Sequence, residues 1–293
     1  MSDSNPPTFL STVLGTLEAL AEPGTEPLPG LVSPDPLRPY VTLTFAQSLD
    51  AKIAGTGGRQ LILTAYGRHR VEGRMRTMHD GILIGVNTAV NDNPQLNVRH
   101  LPFPTQNTHF QHYHHPRPLI LDAQLRLSPT CKLLTNAAIG AGKAPWVISS
   151  APPPADGFFA AEGAAEAVQE WEERKAALEE AGARIVLVER ETLHPELPPT
   201  TTDLPVHAVL KALKDEGIRS VMVEGGARII QSFLSASGTS GLVDTLIVTV
   251  APMIVGRDGV GYGEGLEKVP GLLHLKTEVM GKDVVMGMKV VKV

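Results

Sequence analysis

The sequence predicts an α/β fold: a mixed sheet, mostly parallel, with a C-terminal antiparallel hairpin and helices on both faces. Three observations predict it. Between residues 40 and 234, short apolar runs alternate with segments of helical period. At Val221-Met222-Val223-Glu224-Gly225-Gly226 one such run turns into a helix, with Ile229, Ile230, Phe233 and Leu234 at helical spacing. After residue 242 long β-prone runs take over, the last two divided by Gly281-Lys282-Asp283 as in a hairpin.

Taken in order, residues 1–39 are punctuated by eight prolines and read as an N-terminal arm with one short helix over 8–21. Residues 40–293 then form a single domain. Its first strand, 40–46, delivers Ser48, Asp50 and Lys52 just past the carboxyl end, where ligands sit in α/β folds. Asp50 also fits a plain turn residue. The following Gly55-Thr56-Gly57-Gly58 does not fit G-x-G-x-x-G, because Gln60 takes the last place. A helix over 64–77, capped by Thr64, brings Arg76 toward the sheet. Arg76 either complements the helix C-terminus or forks onto a phosphate or a pyrimidine ring.

After the strand 81–85, Thr88 and Asp92 lie four residues apart, so one helical turn directs both the same way. The His-rich stretch from His100 through His109, His112, His114 and His115 has no periodicity and no cysteine or carboxylate partners. It reads as a solvated loop, with no metal site. Further strands are expected at 118–121, 146–149, 184–188 and 242–251, and the hairpin at 273–280 and 284–293. Residues 160–181 form a long Ala/Glu-rich helix with a charged face, expected as an exposed layer or an insertion. Residues 206–216 form a helix that Gly217 closes.

The Gly225-Gly226 turn matters most. Paired glycines leave backbone N–H groups uncovered at a helix N-terminus whose dipole favours an anion, which makes a dinucleotide-type phosphate site. A tight turn without a ligand is the other reading. Glu224 favours the first, because a carboxylate at the end of a central strand is costly unless a cation or ligand uses it.

Composition excludes several classes. The chain has 293 residues, a net charge of −5 and a single cysteine, Cys131. The charge argues against nucleic-acid binding, and one cysteine excludes an internal disulfide or a Cys-rich zinc site. Between Lys52 and Arg99, however, seven Lys and Arg face three Asp and Glu, a local excess that suits a small phosphorylated ligand. No run reaches the roughly 18 apolar residues of a membrane helix, and the first residues lack the pattern of a targeting peptide. A cytoplasmic location is expected.

Several motifs together carry a resemblance. They are the strand-loop from Thr42 to Ile53, Met75-Arg76 with His79-Asp80-Gly81-Ile82-Leu83-Ile84-Gly85, and Thr88 with Asp92-Asn93-Pro94, Leu96 and Val98-Arg99. Pro116-Arg117-Pro118 and Val223-Glu224-Gly225-Gly226 complete them. In this order they resemble the riboflavin-biosynthesis reductase family. The resemblance implies a dihydrofolate-reductase-like fold, NADPH as cofactor, a homodimer, and reduction of the ribosyl side chain of a 5′-phosphorylated ribosylaminopyrimidine to ribityl. Ala46, Thr88, Asp92, Gly225, Gly226, Ala227 and Arg228 resemble the family's cofactor contacts. Asp50, Lys52, Arg76, Leu96, Arg99 and Glu224 resemble its substrate side.

On that basis Lys52, or a water held by Asp50, is expected to supply the proton for ring opening. Glu224 is expected to bond the pyrimidine or ribose hydroxyls, and Arg76 and Arg99 to take the 5′-phosphate. Ser149 and Ser150 are placed by position to meet the cofactor's 2′-phosphate. Two alternatives stand beside this reading: a dihydrofolate or pteridine reductase, and a non-catalytic nucleotide-binding protein of the same fold. The zinc deaminase of the same pathway is not expected within this chain, since His194-Pro195-Glu196 has no P-C-x-x-C partner.

Overall fold

A computed structural model describes residues 8–15, 31–59, 66–99, 101, 113–152, 164–189, 204–263 and 266–292. Its elements in chain order are α1 (Thr8–Val13), β1 (Tyr40–Ser48), α2 (Tyr66–Met78), β2 (Gly81–Gly85), α3 (Val86–Asp92), β3 (Arg117–Leu121), α4 (Lys132–Ala138) and β4 (Trp146–Ser149). There follow α5 (Ala164–Glu180), β5 (Arg184–Leu187), α6 (Val206–Asp215), β6 (Ser220–Glu224), α7 (Ala227–Ser240), β7 (Thr245–Ala251), β8 (Gly271–Met280) and β9 (Asp283–Val291). The strands form one sheet in the order β5-β4-β3-β2-β6-β1-β7-β9-β8. Strands β1 to β7 pair in parallel, while β9 runs antiparallel to both β7 and β8. This is the architecture the sequence predicts.

The period of two in each strand divides the core. Val41, Leu43 and Phe45 of β1 join Val221 and Val223 of β6 and Leu246 and Val248 of β7 beneath Val209, Leu210, Ile230 and Phe233 of α6 and α7. On the other face Met222 and Ile247 meet Phe9, Leu10, Val71 and Met75 of α1 and α2. Farther along, Ile82, Ile84, Ile120 and Val147 lie against α3, α4 and α5. Residues such as Leu83, Val223 and Phe233, with no exposed surface, each contribute roughly 1.5–3 kcal/mol by burial.

Two elements differ from expectation. The helix expected over 8–21 ends at Val13, with Gly15 in the left-handed region at φ 87°, and residues 16–21 lie outside the described residues. It packs on the body itself, where a Cβ on Gly287 would come within reach of Val13. The Ala/Glu-rich helix is not merely an exposed layer. As α5 it crosses over from β4 to β5 and buries Trp171 and Leu178 against the sheet. Only these two large apolar residues, seven apart, mark its inward face, and the surrounding Ala and Glu conceal the stripe.

At the far end from the strand carboxyl termini, Arg38 clamps β1 to β7. Its Nη1 and Nη2 donate to the Asp244 carboxylate at 2.7 and 2.8 Å, and Asp244 also accepts from the Val41 N–H. A buried pair of this kind fixes position more than it adds stability.

Candidate active site

The carboxyl ends of β1, β2, β3 and β6 open into one cleft of about 1150 Å³. Thr44, Phe45 and Ala46 of β1, Ile84 and Gly85 of β2 and Glu224 of β6 line it, and α3 and α7 begin at its wall. Gly85 caps α3 and Gly226 caps α7, and neither cap residue has a side chain to bond the first N–H groups. The backbone N–H groups at both helix starts therefore border the cleft, at the positive end of each helix dipole.

Space, not backbone angle, requires the glycines here. A Cβ on Gly225 would lie 2.5 Å from Ile229 Cβ, and one on Gly85 would lie 3.0 Å from Ile229 Cγ1. The Ile229 side chain thus fits between the two strand ends and lets the helices approach. A Cβ on Gly226 would meet Thr88 Oγ1 at 3.2 Å, filling the space between α3 and α7. These features fit a dinucleotide pyrophosphate, which needs bare backbone donors and close approach.

Beside this cradle lies a charged cluster. Arg76, 5% exposed, donates from Nη2 to Glu72 at 2.6 Å and to Glu224 at 3.0 Å, from Nε to Glu224 at 3.3 Å, and from Nη1 to the Asn97 carbonyl at 3.0 Å. Burial works against its charge, but the two carboxylates outweigh burial and raise it. Its fork is engaged by protein groups in this structure, with Glu224 among them. Arg99 lines the cleft with no ion pair or hydrogen bond among the described residues, and Leu96 is buried beside it at φ 52°. Desolvation raises the carboxyl of Asp92, which also lines the cleft.

Of the residues singled out from the sequence, Ala46, Arg76, Thr88, Asp92, Leu96, Arg99, Glu224, Gly225, Gly226, Ala227 and Arg228 all line this one cleft. Asp50 and Lys52 do not. Asp50 accepts from Ser48 Oγ at 2.5 Å, from Val255 N–H at 3.1 Å and from Gly256 N–H at 2.7 Å. Those bonds, Ser48 first, hold its carboxyl at about 2. It is a carboxylate at neutral pH and has no proton to give. The aliphatic stem of Lys52 runs along Gly259, where an added Cβ would meet Lys52 Cγ at 2.9 Å, next to the lining residues Ile53 and Ala54.

Ser149 and Ser150 are buried, and Ser149 Oγ donates to the carbonyls of Ala123 and Ser150. They are absent from the cleft wall, which corrects their expected place. Asp122, Gln124, Arg126 and Lys132, after β3, stand at that end instead. Arg126 Nη2 donates to Asn87 Oδ1 at 2.8 Å, bridging to the start of α3. Burial pushes the Asp122 carboxyl up, while the Leu127 N–H and the neighbouring Arg126 pull it down. Sequence reasoning missed these residues although they obey the rule that found Asp50, since they follow the apolar run 118–121 directly.

Of the histidine-rich stretch, His100, His109 and His112 lie outside the described residues, as do His194, Pro195 and Glu196. His115 Nδ1 accepts from the Val98 N–H at 3.2 Å, which secures the segment ahead of Arg99.

Fold and cleft together define an α/β protein with a candidate ligand site at the carboxyl ends of parallel strands. Residues 39–286 match the RibD C-terminal domain, and the chain belongs to that family. The 2,5-diamino-6-ribosylamino-4(3H)-pyrimidinone 5′-phosphate reductase of Debaryomyces hansenii is 31% identical over 224 residues, covering 76% of this chain and 78% of that one. The reductase of the same name from Methanothermobacter thermautotrophicus is 31% identical over 259 residues, covering 85% and 97%. Among solved structures, the riboflavin biosynthesis reductase Rib7 of Saccharomyces cerevisiae superposes with a TM-score of 0.63 at 24% identity, covering 97% of this chain and 98% of that one, and so shares its fold.

Proposed function

We propose that this chain reduces the ribosyl side chain of a 5′-phosphorylated ribosylaminopyrimidine to ribityl, using NADPH. The observation that carries the reading is the meeting, in one cleft, of two bare helix N-termini with Glu224, Arg76 and Arg99. The names of the relatives support it, and family membership favours it over a dihydrofolate or pteridine reductase.

The cofactor supplies a hydride to the former anomeric carbon. The chain's own residues do the rest. Gly225, Gly226, Ala227 and Arg228 at the start of α7, together with Thr88, Asp92 and Ala46 of the same cleft, would hold the cofactor. Glu224, oriented by Arg76, accepts from hydroxyl or amino groups of the substrate, and Arg99 meets its phosphate. Opening the sugar ring to the imine needs a proton at the ring oxygen. We take Lys52 as the donor; Asp50, a carboxylate that already accepts three hydrogen bonds, is not assigned the step. Arg126 and Lys132 select NADPH over NADH by meeting a 2′-phosphate.

A homodimer fits the edge strand β8, which exposes Leu272, Leu273 and Val279. No helix among the described residues is long and apolar enough to cross a membrane, and a cytoplasmic site of action fits the chemistry. The test is NADPH oxidation with the 2-amino pyrimidine and with its deaminated counterpart. Turnover of either supports the reading and the faster one names the substrate; turnover of neither overturns it. Lys52→Ala should lower single-turnover rates by about 10²-fold if it is the acid.

A further inference from the structure

Two loops from opposite ends of the sequence are clasped together at one side of the cleft. After β1 the chain turns through Leu49, Asp50 and Ala51, the last in the left-handed region at φ 56°. After β7 it turns through residues 252–262. Ala54 and Val260 form an isolated antiparallel bridge, with Ile53 N–H donating to the Val260 carbonyl and Val260 N–H to the Ala54 carbonyl, both at 2.9 Å. Leu49 N–H donates to the Met253 carbonyl at 2.9 Å, and Tyr262 closes the far end with its hydroxyl on Gln47 Oε1 at 2.7 Å.

Asp50 sits at the centre of this clasp. Its carboxylate ties Ser48 of β1 to the Val255 and Gly256 amides, and Ser48 Oγ in turn accepts from the Lys52 N–H at 3.0 Å. Ile53, Ala54 and Val260 line the cleft while Asp50 does not. The carboxylate therefore touches the scaffold and not the ligand space.

We propose that Asp50 is a positioning residue, a latch that holds the segment after β7 against the turn after β1 and so sets the wall formed by Ile53, Ala54 and Val260. The proposal rests on the reductase reading of the cleft and gives Asp50 a part in substrate fit, with none in proton transfer. It also assigns Gly259 a role. Gly259 packs on the turn after β1 and within its own loop, where a Cβ would lie 2.9 Å from Lys52 Cγ and 2.7 Å from Val255 Cγ1. A methyl group there pushes the same wall away without touching Asp50.

The test uses the full chain and two independent variants. In Asp50→Asn one carboxylate oxygen becomes an NH₂ that faces the Gly256 amide, so the latch loses a charge-assisted bond. Without any ligand, hydrogen exchange at Ile53, Val255, Gly256 and Val260 should quicken by about tenfold, the factor one such bond corresponds to. With substrate, KM should rise by about tenfold while kcat stays within about threefold and the pH profile of kcat keeps its shape, the pattern of lost binding. Gly259→Ala should reproduce the rise in KM. Wild-type exchange and KM in both variants would overturn the latch, and so would a collapse of kcat with a missing limb of the pH profile, which would make Asp50 a chemical participant. If Asp50→Asn fails to fold, Gly259→Ala decides by ligand-free exchange and by KM. If the wild type does not turn over the pyrimidine, the reductase reading falls, and the exchange experiment, which needs no substrate, still decides whether the latch exists.

Discussion

Acid should weaken this fold through one buried imidazole, His79. The ring has no exposed surface and lies between the end of α2 and β1. Its Nδ1 is 2.7 Å from the Met75 carbonyl, which only accepts, so Nδ1 carries the proton and Nε2 accepts from Thr42 Oγ1 at 2.8 Å. Burial drives the group down to about 4, against the upward pull of the Met75 carbonyl and Asp80. The unfolded chain, at about 6.5, therefore binds more protons than the folded one between those two values. The neutral ring's contribution is complete above pH 6.5 and is lost as pH falls toward 4. The loss amounts to about 2 kcal/mol by pH 5 and about 3 kcal/mol in full. Urea unfolding at pH 8 and pH 5 measures it, with His79→Asn as the control, because asparagine still donates to Met75 and does not titrate. The wild type should lose about 2 kcal/mol more than the variant between the two pH values. Equal losses would refute the reasoning, whatever the absolute stability of the variant.

Three further outcomes follow from the cleft. Gly225→Ala places a methyl group against Ile229 Cβ, so it should cost about 1–3 kcal/mol in stability and raise KM for the cofactor, as a thermal melt and a titration would show. Arg126→Ala removes a cation from the β3 end of the cleft and should lower the preference for NADPH over NADH by about tenfold, checked by kcat/KM with each. Arg99→Ala should raise KM for the phosphorylated substrate and leave that for the dephosphorylated analogue unchanged, a comparison made by initial rates.

Local pattern made much of this legible. The apolar runs and the turn at Gly225-Gly226 specify where strands stop and helices start, and Thr88 and Asp92 could be placed on one face by spacing alone. What stayed hidden depends on residues distant in sequence. No local pattern announces that Asp50 accepts from Val255 and Gly256, more than 200 positions away. Arg76 looks like a free fork until Glu224 closes on it across a separation of 148 residues. The inward face of α5 rests on Trp171 and Leu178 alone, too sparse to stand out from the Ala and Glu around them. Arg126 and Lys132 join the site only because β3 lies beside β2 in the sheet, an order the sequence does not state.

The most direct measurement follows a deuterium atom. NADPH labelled at the transferring carbon of the nicotinamide is turned over with the ribosylaminopyrimidine 5′-phosphate, and the product is examined by NMR. The account predicts deuterium on the carbon that was anomeric, at a rate lowered by Gly225→Ala. A product without the label, a label on another carbon, or a rate indifferent to the residue at 225 would contradict it.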